Sequence, residues 1–373
     1  MRTISPLSIL PAVLVLLAGA ARANDSSSEL GAGGLVLVKT DAITMQREDL
    51  SLSLSEVRVR YEMRNDTGKP VTLRVAFPMP EVPTMGGAGL DSSSGHNILV
   101  QPWRDANFVN FRVIANGEDV KPEKEIRAVL PDGKDVTAEV LAIGGEKLAL
   151  HPGWFQTDAD PKDEEDPVLD AKAMAHLKEI GALTTQDTVF VLTWHTTVTF
   201  HWMQTFQPGV TVVEHMYRPV LGSHLVDTDG PTKVRVSGTE DAEATYCIDD
   251  PTRRAVAKLL KGPNTAMGTV SGITLAYIVK TARNWHGPIG TFHLTIQGGQ
   301  GVGHATIARN AGSADSGTPE GLANPKQGSQ IISLCTDLPI RRTGPLRFEA
   351  TVNDYVPSDD LNILFVEGVT PQP

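Results

Sequence analysis

Apolar and polar residues alternate along most of this chain with the two-residue period of a half-buried strand. Val57, Val59, Tyr61 and Met63 alternate with Arg58, Arg60, Glu62 and Arg64, and Val71, Leu73, Val75 and Phe77 repeat the pattern. Between the runs lies Asn65-Asp66-Thr67-Gly68-Lys69-Pro70, dense in turn formers. The spacing predicts an antiparallel hairpin with one buried and one wet face. Leu50, Leu52 and Leu54 run in the opposite phase, which a bulge or turn near Ser55-Glu56 would reconcile. Pro78 and Pro80 end the strand through Phe77, and residues 78–97, rich in Pro, Gly and Ser, read as a long loop. Residues 108–113 alternate again before Asn116-Gly117, the favoured two-residue hairpin turn. Further strands are predicted at 136–143, 189–206, 210–217, 234–236, 244–248, 273–279, 292–296, 331–334, 346–352 and 363–366. Pro208-Gly209 is expected to turn the strand at 189–206 back into a partner at 210–217.

Two segments carry helical spacing instead. In the first, Asp166 can cap, Pro167 suits the first turn, Leu169, Ala173, Leu177 and Ile180 form one apolar stripe, and Gly181 closes it. In the second, Asp249 or Asp250 caps, Pro251 follows, Lys258 and Lys261 complement the helix dipole, and Gly262 ends the helix. Many strands with few helices, and no regular β–α alternation, predict a mainly β fold of antiparallel sandwich-like sheets with two short α-helices.

The first residues are an exception to the alternation. Arg2, an apolar run from Leu7 to Leu17, and Ala21-Arg22-Ala23 compose a secretory leader with cleavage expected between Ala23 and Asn24. The apolar run is shorter than a membrane span requires. The chain then divides into a signal peptide (1–23), an N-terminal β-rich region (24–155), an acidic loop with a helix (156–183), and a C-terminal β-rich region with one helix and a disulfide (184–373). Composition adds two constraints. Of 373 residues, 33 are Lys or Arg and 44 Asp or Glu, a net charge of -11. Loss of Arg2 and Arg22 with the leader takes the basic count to 31 and the balance to -13, which disfavours binding to phosphate backbones. Export also changes the meaning of the two cysteines. In an oxidising compartment Cys247 and Cys335 are most simply one disulfide closing a loop of 88 residues; the alternative is a free or catalytic thiol.

Five stretches carry a resemblance. These are Asn24–Leu35, the VRVRYEMRN…VAFPMP pattern, FHWMQTFQPGVTVVEHMYRP at 200–219, YCIDDPTRR at 246–254 and TARNWHGPIGTFHLTI at 281–296. Together they resemble a bacterial family known as domain of unknown function 4424, over nearly the whole chain after the leader. The resemblance implies an exported, β-rich protein with cysteines at matching positions. It brings no reaction, ligand or catalytic residue. The long linkers at 84–97 and 298–329 depart from the family pattern.

Candidate chemistry centres on histidine. His195 and His201 are six residues apart and share a face of an unbroken strand, with Trp194 and Trp202 on the other. If Pro208-Gly209 pairs the flanking strands, Glu214 and His215 come near His201, where the imidazoles could share a metal or act as acid and base. The competing reading makes the histidines sheet-face residues and the tryptophans core. Asn284-Trp285-His286-Gly287-Pro288 is either a recognition loop or a structural turn whose Trp caps the core. The acidic run at 158–166 has oxygen ligands but lacks the register of a calcium loop. Asp227-Thr228-Asp229-Gly230 reads as an Asp-Gly turn, and the glycines at 298–303 lack a phosphate-loop lysine. Trp285, His286, His195, His201 and His215 are therefore binding candidates. No catalytic residue, metal ligand or cofactor is assigned. The expected role is an exported periplasmic or secreted binding or structural module of the cell envelope. Its expected partner is an envelope protein or glycan, with no nucleic acid and no transmembrane segment after the leader. The alternative is a periplasmic hydrolase or metal-dependent enzyme using the histidine cluster.

Overall fold

Leu54-Ser55-Glu56 turns the chain between β3 (Ile43–Ser53) and β4 (Val57–Asn65), which pair antiparallel. The Ser53 hydroxyl accepts the Glu56 N–H and donates to the Glu56 carbonyl, so the change of phase in the leucine pattern is a turn. Residues 26–31, 34–79, 81, 107–155, 169–186, 189–230, 233–261, 268–298, 330–344 and 346–367 are described in this computed structural model. The leader with Ala23-Asn24, the acidic run at 158–166 with Pro167, and the glycine-rich stretch after Gly298 lie outside them.

Four sheets contain the strands. An N-terminal five-stranded sheet has the order β2 (Gly34–Val38), β1 (Ser26–Gly31), β5 (Val71–Pro78), β12 (His195–Phe206), β8 (Glu123–Val129). An eight-stranded sheet has the order β19 (Arg341–Gly344), β20 (Arg347–Tyr355), β17 (Ile289–Gln297), β3, β4, β13 (Gly209–Tyr217), β6 (Arg112–Ala115), β7 (Glu118–Val120). β9 (Gly153–Phe155), β10 (Leu183–Gln186) and β11 (Val189–Leu192) make a small third sheet. The fourth has the order β15 (Lys233–Val236), β14 (Leu221–Asp229), β16 (Val270–Tyr277), β21 (Leu361–Glu367), β18 (Gln330–Leu334). Among the described strands every pairing is antiparallel except β17 with β3. A bulge between Met45 and Arg47 lies beside that parallel pair. There Gly290 is required by contact, since a Cβ would fall 2.6 Å from the Gln46 carbonyl oxygen.

The first two sheets face one another as a sandwich. Val75, Phe77, Phe200, Trp202 and Phe206 from one meet Val59, Tyr61, Met63 and Val213 from the other. Here two expectations are corrected. Residues 57–65 and 71–78 do not form a hairpin, and neither do 195–206 and 209–217, because β4 and β13 lie in the eight-stranded sheet and β5 and β12 in the five-stranded one. Each turn cluster carries the chain across the sandwich. The Asn65 side-chain amide joins the two crossings by donating to the Lys69 and Phe206 carbonyls at 2.8 Å each. Alternation placed the buried residues of β4 on their correct face, but it contains no information on which neighbour a strand takes, and it did not place His215 in the core.

The described residues hold four α-helices, against the two expected: α1 (Thr137–Ala149), α2 (Ala171–Glu179), α3 (Ala242–Tyr246) and α4 (Asp250–Leu259). Residues 136–143 and 244–248 were expected as strands, yet both lie largely in helix. In α1 the buried Val136 and Val140 are four apart, good helix formers surround them, and Gly145, at φ 63°, kinks the helix. In α3 the Asp241 carboxylate caps the Ala244 N–H, and Cys247 ends the helix in the left-handed region at φ 48°. The cap of α2 is Asp170 and that of α4 is Asp249. Strand β21 is a continuous apolar run because both faces are buried. Leu361, Ile363 and Phe365 join the main core, while Leu364 and Val366 belong to a second cluster with residues of α3 and α4. The Cys247–Cys335 disulfide, Cα atoms 4.9 Å apart, ties α3 to the end of β18.

Candidate binding site

Between Tyr355 and Leu361 the chain leaves the eight-stranded sheet and enters the fourth sheet. Asp354 makes the exit in the left-handed region at φ 52°, where Asp and Asn are tolerated better than branched residues. The loop walls a cavity of about 420 Å³ next to the disulfide, lined by Thr245, Lys280, Asp337, Tyr355, Asp359, Asp360, Asn362 and their neighbours. One Asp360 oxygen accepts the backbone N–H groups of Val279 and Lys280, each at 3.2 Å. The Lys280 ammonium lies 3.5 Å from the other Asp360 oxygen and 3.9 Å from Asp359. Asp337, Asp359 and Asp360 line the cavity with one ammonium, Lys280, so its lining is net acidic.

Tyr355 is the aromatic side chain of the cavity lining. Only 7 % of it is exposed, and its ring stacks on Phe292 at 4.8 Å. Burial, reinforced by Asp337, Glu48 and Asp359 and opposed by Arg283, raises the phenol well above its ordinary range, so it stays protonated and can donate. On the core side lies Glu48, which the bulge in β3 turns inward, in register with Phe292 and Tyr61. Glu48 is fully buried and neither carboxyl oxygen has a hydrogen-bond partner among the described residues. Burial pushes its pKa up to about 8, so at neutral pH it is mostly the neutral acid.

The histidines are not brought together. His215 sits in the sandwich core inside a box of Tyr61, Phe77, Phe111 and Trp202, with ring centroids 5.3–5.6 Å away, and burial lowers its pKa to about 3. His201 points from the opposite face of β12. Its Nδ1 accepts from the Arg74 guanidinium at 3.0 Å; burial and then Arg74 lower its pKa, against Glu123 and Glu125. The expected His201–His215 pair fails because β12 and β13 lie in different sheets. His195 is exposed beside Glu81. Trp285 is buried edge-on to Phe206 at 6.2 Å, while His286 is exposed, 3.7 Å from Asp41. The five candidates therefore occupy several separate places. The cavity residues escaped sequence reasoning because four distant segments supply them; the turn formers from Asp354 to Asp360 were the one local signal.

The family described as domain of unknown function 4424 (DUF4424) matches residues 23–303 and 323–364. The chain belongs to this family. DUF4424 names no activity, and no curated protein matches the chain. Among solved structures, a Legionella pneumophila protein described as a candidate nutrient-binding protein is similar at 13 % identity and a TM-score of 0.35. The match covers 93 % of this chain and 72 % of that one. No described helix is long and apolar enough to cross a membrane.

Proposed function

We propose that this DUF4424 protein is an exported, non-catalytic binding module of the cell envelope, periplasmic or secreted, whose ligand occupies the cavity at the β20–β21 loop. One observation carries the reading: a cavity of about 420 Å³ offers uncommitted polar groups on an ordered frame, within the size range of small-ligand sites. The leader and the disulfide support export, since structural disulfides persist in oxidising compartments. The enzymatic alternative built on His201 and His215 has lost its geometric support. An envelope glycan or protein is the expected partner. The test compares wild type with Tyr355→Phe on immobilised envelope extract. The wild-type protein is expected to retain a component that the variant releases at lower salt. Identical retention profiles for the two proteins would remove the cavity from the function.

A further inference from the structure

We infer that the cavity takes a small hydroxylated amine of the amino-sugar class, with its ammonium beside Asp337 and Asp359 and one of its oxygens on the Tyr355 hydroxyl. The inference rests on the binding reading above and names the ligand of that same site. Charge is the first observation. Asp360 is committed to two backbone N–H groups and to Lys280, which leaves Asp337, with Asp359 beyond its longer 3.9 Å contact to Lys280, to meet a cation. Tyr355 is the second and is independent of the first. It is more than nine-tenths buried and lines the cavity, yet its hydroxyl makes no hydrogen bond to any described residue. Its ring is held by Phe292, so the hydroxyl cannot swing out to find another partner. The hydroxyl is not among the enclosed unbonded atoms of the described residues; it opens to the cavity, where a ligand oxygen can accept its proton.

The form of the ligand follows from the rest of the wall. Among the described residues no three of His, Cys, Asp and Glu are grouped to hold a metal ion, so an extended organic cation fits better than a bare ion. Ser358 and Asn362 add neutral donors and acceptors, and the Thr245 hydroxyl, which donates to the Asp241 carbonyl, adds an acceptor; these suit hydroxyl groups better than an alkyl chain. Asp359 is largely exposed, so its contribution is screened and binding falls as salt rises.

Calorimetric titration of the disulfide-intact chain with D-glucosamine, D-glucose and cadaverine tests this. Glucosamine is expected to bind about tenfold more tightly than either of the others, each of which lacks one of the two features. The double substitution Asp337→Asn with Asp359→Asn is expected to weaken glucosamine about tenfold and to abolish the salt dependence. Tyr355→Phe, which keeps the stacked ring, is expected to weaken it about tenfold and to leave the salt dependence in place. Asp227→Asn, in an ion pair with Arg235 on another part of the fourth sheet, serves as a control for general acidity. Equal binding of glucose and glucosamine overturns the charge assignment. Equal losses in the control and the double variant overturn the location. Absence of sugar binding overturns the ligand class, and the envelope-extract comparison with Tyr355→Phe then still decides the binding reading separately.

Discussion

Two aromatic clusters of this protein each enclose a titratable group, and they do opposite things with it. The box around His215 is built from the core faces of three sheet strands and Phe111, and its burial leaves the imidazole neutral. The cluster at Tyr355 is built where a strand ends. Phe292 and Glu48 close its core side, but the loop at 356–360 leaves a cavity on the other. Strands deliver side chains in a repeating plane and fill the space between sheets. A strand end beside a change of sheet cannot, because the loop has no ladder to continue. The difference shows why His215, a binding candidate in the sequence reading, is core here, while the groups proposed to meet a ligand come from a junction.

Four measurements sharpen or break this contrast. The largest effect is expected inside the closed box. Phe77→Ala removes a fully buried ring that contacts Phe111, His215 and Tyr217, and should destabilise the protein by about 3–5 kcal/mol in denaturant unfolding. A value near zero would mean that the box is not tightly packed. Removal of the disulfide by Cys247→Ala with Cys335→Ala follows. Chain-entropy reasoning gives about 4–5 kcal/mol as an upper figure from which native strain subtracts, and the loss should also loosen the cavity wall at Cys335.

The third measurement is the pH profile of stability. Glu48 rises from 4.5 to about 8 on folding, so its stabilising contribution is full below 4.5 and is lost as pH rises through 8. His215 falls from 6.5 to about 3, so its contribution is full above 6.5 and is lost as pH falls through 3. Each limb has a slope on the order of 1 kcal/mol per pH unit, and the two oppose one another between 4.5 and 6.5. Glu48→Gln should flatten the alkaline limb alone; an unchanged limb would show that Glu48 ionises inside the core without cost. The smallest stability effect belongs to Tyr355→Phe, expected within about 1 kcal/mol because stacking survives. A large loss would mean that the hydroxyl holds the fold together and is not kept for a ligand.

Much of the β structure was legible along the chain. The alternation at 57–63 and 71–77 reproduced the buried faces of β4 and β5, and Asn116-Gly117 turns β6 into β7 with both residues at positive φ. In α1 the apolar residues at 140–143 were misread as a strand because a short apolar run has no clear period, and α3, at five residues, is too short to show one. Asp241, the residue that resolves α3, reads in isolation as one more acidic surface position. The candidate site was hardly legible. Lys280, Asp337 and Tyr355 lie on separate segments with no fixed spacing, and only Pro357-Ser358-Asp359-Asp360 signalled a turn.

By itself the sequence determined the β-rich character, the buried face of β4, the membership of DUF4424 and the pairing of its two cysteines. These follow from local alternation, from matching stretches of chain and from the arithmetic of two thiols. The tertiary structure alone decided that 65–70 and 207–209 cross the sandwich, that His201 and His215 point away from each other, and that Tyr355 meets a cavity. Strand partners are chosen by ladders between distant segments and by the burial of whole faces, and no period along one strand records which neighbour it will take.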